Sequence, residues 1–131
     1  MPFLSKWSGE ILSLLRIVAS FMFIQHGTQK MFGFPVEAVA PYELMTLSPG
    51  LAGLLEVILG PLLLVGIFTR HIAFVLSGFM AFAYFMVHAP RGFWTLANGG
   101  DAAVLYCFVF LYIAAAGGGR WSIDALRSRS T

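Results

Sequence analysis

The sequence predicts an all-α membrane protein, a polytopic four-helix bundle with its N- and C-termini on the cytoplasmic side. Three observations carry that expectation. Of 131 residues, 59% are hydrophobic and 11% are charged, against about 25% charged in soluble domains. So few charges cannot cover a water-facing surface, and mean hydropathy is +0.84. Four apolar stretches run from about 11–30, 48–68, 71–89 and 99–117, each near the ~20 residues that cross a hydrocarbon core. The basic residues between them are unevenly distributed, which sets the orientation.

The first span begins after Lys6 and contains Arg16, which interrupts any signal-peptide-like apolar region and favours a retained helix. Gly33-Phe34-Pro35 ends it. Ser48-Pro49-Gly50 opens the second span, and Gly60-Pro61 inside it reads as a kink tolerated in lipid. Thr69-Arg70-His71 turns into the third, which Ala89-Pro90-Arg91-Gly92 closes. Asn98-Gly99-Gly100-Asp101 opens the fourth, with the Asp suited to a helix N-terminus, and Gly117-Gly118-Gly119 ends it. The connection from about 31 to 47 has room for a short interfacial helix. One domain, 1–131, accounts for the whole pattern.

Lys6, Arg70, Arg120, Arg127 and Arg129 fall on the side of the termini, and Arg91 on the other. The positive-inside rule then places both ends in the cytoplasm and the chain in a bacterial inner (plasma) membrane. The formal net charge of +2 is scattered singly, with no basic stripe, so nucleic acid is excluded as a partner and the lipid bilayer is the primary one. Cys107 is the single cysteine. No Cys/His spacing marks a metal site.

Ionisable groups at membrane depth are costly, by roughly 2.5–3.5 kcal/mol on insertion scales, and usually face protein or water. At about 100° per residue, His26 and Lys30 lie roughly 80° and 40° from Arg16, so all three share a face of the first helix. Gly53, Glu56 and Gly60 share a face of the second, where small residues admit a close neighbour. Ser77, Ala81, Tyr84 and His88 repeat a helical spacing in the third, as do Asp101, Leu105, Phe108 and Tyr112 in the fourth. Depth then gathers His26, Lys30, Glu56, Tyr84, His88 and Asp101 into a candidate polar pocket in the outer half of the bundle. Glu56 is expected within ion-pair reach of Lys30 or a histidine. Arg16 and Arg70 are expected in structural or interfacial roles.

The same residues carry a family resemblance. Leu15-Arg16 followed by His26-Gly27-Thr28-Gln29-Lys30-Met31-Phe32-Gly33, then Glu56, Gly60, Gly66, Arg70 and Ala73, and the close Gly117-Gly118-Gly119-Arg120-Trp121-Ser122-Ile123-Asp124 resemble the DoxX family of small bacterial four-span membrane proteins. The close departs from the family's Ser-Leu-Asp by its Ser-Ile-Asp. The resemblance spans roughly residues 8–126. It implies the bundle fold and, from some members, a subunit of a thiosulfate:quinone oxidoreductase or a part of redox and oxidative-stress complexes.

Three functions stay open on the sequence. The first is a membrane subunit of a quinone-linked oxidoreductase, with the polar cluster at a quinone's carbonyls and Phe23, Phe79, Phe82, Tyr84 and Phe108 along its ring. The second is a non-enzymatic assembly or anchoring partner of a membrane or periplasmic complex. The third is a small-solute or proton pathway. A catalytic residue is not assigned. Quinone is the cofactor the pattern admits. Haem on His26 and His88 is geometrically allowed but specified by no spacing. A partner subunit and further copies of the chain both fit as protein partners.

Overall fold

The computed structural model describes residues 1–129, with Arg129 described by its backbone alone. All its regular elements are helices: α1 (Pro2–Ser5), α2 (Ser8–Phe32), α3 (Leu47–Val65), α4 (Thr69–Arg91), α5 (Thr95–Asn98), α6 (Asp101–Ala116) and α7 (Ile123–Arg129). Among the described residues, α2, α3 and α4 are long and apolar enough to cross a membrane. The fourth apolar helix, α6, has 16 residues. At 1.5 Å per residue that is about 24 Å, short of a hydrocarbon core of about 30 Å. The chain is a multi-pass helical membrane protein, with a fourth helix shorter than its sequence suggests.

Helix ends follow local chemistry. Gly33 takes a left-handed conformation (φ 67°) and returns its N–H to the Gln29 carbonyl at 3.0 Å, closing α2. α3 stops at Val65, three residues early, because Gly66 turns left-handed at φ 76°. Phe68, at φ 47°, is the one non-glycine residue with positive φ among those described. Its strained turn is held by Asp124, whose carboxylate accepts the N–H of Phe68 at 3.0 Å and of Thr69 at 2.8 Å. That carboxylate caps the start of α4.

α2 packs chiefly on α3, and α4 on α6. Phe23, Leu63, Ala73, Leu76, Phe110 and Ile113 form the centre of the apolar core. At Gly27 an added Cβ would lie 2.7 Å from Glu56 Cβ. Glycine at that position is what lets α3 press against α2. The expected face of α3 is seen, with Gly53, Glu56 and Gly60 buried.

The expected face of α6 is not. Leu105, Phe108 and Tyr112 are 65%, 64% and 59% exposed, whereas Tyr106, Phe110 and Ile113 point into the bundle. α6 is apolar all round, so no polar stripe sets its phase. Asp101 lies in the first turn and marks an end rather than a face. The segment 33–46 also differs from expectation and holds no helix. It is pinned over the bundle end by Tyr42 Oη donating to Gly50 O at 3.0 Å and Gln29 Nε2 donating to Glu37 O at 3.1 Å.

At the end of the bundle that holds the termini, side chains plug backbone. Arg16, 1% exposed, donates through Nη1 to Gly118 O and through Nη2 to Leu64 O (3.2 Å) and Trp121 O (2.7 Å). Arg70 donates to the carbonyls of Ala114, Ala115 and Ala116, the last turn of α6, where a cation suits the helix dipole. Ser13 Oγ accepts the Trp121 N–H at 2.9 Å. The glycine-rich close is thus a lid folded onto Arg16.

Candidate functional site

The opposite end is built differently. There the end of α2, the start of α3, the end of α4 and the start of α6 surround a cavity of about 290 Å³. Its polar lining is Lys30, Glu56, His26 and His88, with Ser48 at the entrance to α3, and its walls include Phe23, Phe79, Met80 and Tyr106.

Lys30 Nζ donates to both carboxylate oxygens of Glu56 at 2.8 Å. This is the pairing expected for Glu56 from its depth. Glu56 is 3% exposed, and the Lys30 side chain is 24% exposed. A buried carboxylate needs such a partner, because losing hydration costs several kcal/mol per ion. Gly27 brings Glu56 to α2 one turn below Lys30, so a glycine and an i+3 spacing together make the pair.

Tyr106 closes the floor. It is 8% exposed, packs edge-on against Phe23 (5.5 Å between centroids, 65°) and stacks on Phe110 (5.5 Å, 20°). The His26 ring stands perpendicular to it at 6.0 Å. Its hydroxyl is buried and has no hydrogen-bond partner among the described residues.

The rim is a knot around Asn98, which is 1% exposed. Its Nδ2 donates to Tyr84 Oη at 3.1 Å and to Gly92 O at 2.9 Å, and its Oδ1 accepts the Gly100 N–H at 2.8 Å. His88 Nδ1 shares a 3.1 Å hydrogen bond with Asn98 O, and its ring stacks on Tyr84 at 6.2 Å. Tyr84–His88 forms a π-helical turn. Such a turn adds a residue per winding and resets the phase of the helix, here bringing His88 to the cavity.

Of the six residues assigned to a polar pocket, the structure brings together His26, Lys30, Glu56 and His88. Tyr84 stands behind His88, bonded to the rim and outside the lining. Asp101 is exposed and lies outside the lining. Asn98 orders the start of α6 in its place. Among the aromatics proposed for the slot, Phe23 and Phe79 line it, while Phe82 and Phe108 are 50% and 64% exposed. Tyr106 and Asn98 escaped the sequence. The run Tyr106, Phe110, Ile113 has helical i, i+4, i+7 spacing and was available as a signal, but the equally apolar opposite face concealed it. Among the described residues no group of three or more His, Cys, Asp or Glu side chains is placed to hold a metal ion.

The DoxX family model matches residues 11–89, a stretch containing Arg16, His26, Lys30, Glu56 and His88. An uncharacterized protein of Haemophilus influenzae is 42% identical over 130 residues, which is 92% of this chain and 93% of that protein. No solved structure matches the chain.

Proposed function

This chain belongs to the DoxX family, and we propose that it is a membrane subunit of a quinone-linked redox system whose cavity receives the polar head of a quinone. The observation that carries this is the buried Lys30–Glu56 pair set against aromatic walls at membrane depth. Ionisable residues inside a membrane mark functional sites by default. A quinone head is a flat apolar ring with two acceptor oxygens. It fits a slot walled by Phe23 and Phe79 that offers donors at Lys30 and at the unpartnered Tyr106 hydroxyl. A bound quinone supplies two-electron, two-proton chemistry. In that setting Glu56 is the group of this chain that holds or passes a proton, and Lys30 keeps its carboxylate in place. With Lys6, Arg70, Arg120 and Arg127 facing the cytoplasm, the cavity opens in the outer half of an inner membrane. A partner subunit supplies the other redox centre.

The test is titration of the purified chain in lipid nanodiscs with a short-tailed benzoquinone. Saturable binding is expected, weakened roughly tenfold in Glu56→Gln, the scale of one hydrogen bond lost when the Lys30 donor is no longer held by its carboxylate. An intact chain that binds no quinone but recovers a second membrane or periplasmic protein replaces this reading with the assembly role.

A further inference from the structure

We infer that Tyr106 determines which ligand the cavity accepts, by donating a hydrogen bond from its hydroxyl to an oxygen on the ligand ring. The proposal rests on the quinone reading and deepens it. Tyr106 is more than nine-tenths buried, and its Oη has no partner among the described residues. A buried hydroxyl left without a partner forfeits its hydration with nothing in return, more keenly where lipid rather than water surrounds the protein. The ring cannot swing away to find an acceptor. Phe110 stacks on it, Phe23 meets it edge-on, and His26 stands across it. The residue lines the cavity, and its packed ring fixes where the hydroxyl sits.

Lys30 uses two of its three N–H groups on Glu56, and His88 Nδ1 bonds to the rim. His26 and Ser48 also line the cavity but are exposed. The donor that is both buried and unpartnered among the described residues is the tyrosine. Aromatic walls by themselves would accept any flat ring or acyl tail from the bilayer. A fixed donor at the floor favours rings that carry a carbonyl, because a ligand without one leaves the hydroxyl unsatisfied.

Two probes separate these contributions: a decyl-substituted benzoquinone, and decylbenzene, which has the ring and the tail but no oxygen. Binding of both is measured to the whole chain in nanodiscs and to Tyr106→Phe, which keeps the ring contacts. The expected result is a quinone affinity about tenfold lower in the variant, with decylbenzene unchanged. Thermal stability of Tyr106→Phe should equal or exceed that of the original chain, since the hydroxyl gives up no internal bond. Quinone binding that is equal in both chains overturns the role of Tyr106 and leaves the quinone reading standing. A parallel loss of both probes, or a clear drop in stability, also overturns it, because the change then reports packing or a lost internal bond. An original chain that binds neither probe overturns both proposals.

Discussion

The two ends of the bundle differ in where their buried ionisable side chains bond. At the end that carries the termini, beside an Arg120–Glu10 ion pair, polar groups reach backbone. Arg16 serves three carbonyls of two separate segments, Arg70 the last turn of α6, and Asp124 the first N–H groups of α4. Glu10 Oε2, Arg16 Nε and Thr69 Oγ1 have no partner there among the described residues, but other atoms of each residue are bonded. At the far end, Lys30 and Glu56 bond to each other, Tyr106 Oη bonds to nothing described, and a cavity opens between them. Side chains that bond backbone fix helix ends in place. The Lys30–Glu56 pair and Tyr106 instead border a space, with donor capacity to spare. Under the proposed function, the first end carries structure and the second receives the ligand.

The largest expected effect lies at the structural end. Arg16→Met abandons three carbonyls at once, that of Gly118 in a fully buried bond, and should cost about 3 kcal/mol or more, read as a lowered unfolding midpoint in a denaturing-detergent titration. Quinone affinity of the folded fraction should be unchanged. An unaltered midpoint would break the comparison at its strongest point.

Asp124→Asn should cost about 1 kcal/mol through the weakened cap on Phe68 and Thr69. The carboxyl of Asp124 lies below its ordinary value. Desolvation opposes this, but the Thr69 and Phe68 N–H groups and the Arg127 charge outweigh it. A depressed folded-state value means its stabilisation is complete above the unfolded carboxyl value of about 3.9 and is lost as pH falls through the lower folded value. The acid limb of the stability profile should therefore flatten in Asp124→Asn, while the profile above about pH 5 runs parallel to the original. An acid limb identical in the two chains would mean another group controls it.

The smallest effect is expected at Asp101. It sits near the cavity in sequence but outside it in space, so Asp101→Asn should lose no more than about 0.5 kcal/mol of helix-dipole stabilisation and leave quinone binding intact. A binding defect there would extend the site to the N-terminus of α6 and sharpen where the functional end begins.

Much of this was legible in the sequence, for identifiable reasons. Glu56 stood out because a short carboxylate at membrane depth cannot snorkel to water and so demands a partner; Lys30, on the adjacent helix at matching depth, was the nearest cation to supply it. Arg16 could be expected to bond helix ends or lipid phosphates, since a guanidinium offers five donors and the apolar run offers few other acceptors. Asp101 misled because an acidic residue at a helix start looks the same whether it faces a cavity or solvent. Tyr106 was missed because α6 carries apolar residues on every side, and periodicity has nothing to lock onto.

Composition and spacing by themselves determined that this chain is a helical membrane protein, where its long helices run, and that His26, Lys30, Glu56 and His88 share a depth. These follow from hydration energy and from the rise of a helix, which are local properties. Only the tertiary structure decided which face of α6 turns inward, that Asn98 rather than Asp101 orders its start, and that a tyrosine hydroxyl is left buried with no partner among the described residues. Those depend on the rotation of one helix against another, set by close contacts such as Gly27 against Glu56 and by the side chains that tie distant turns together, none of which a single helix encodes.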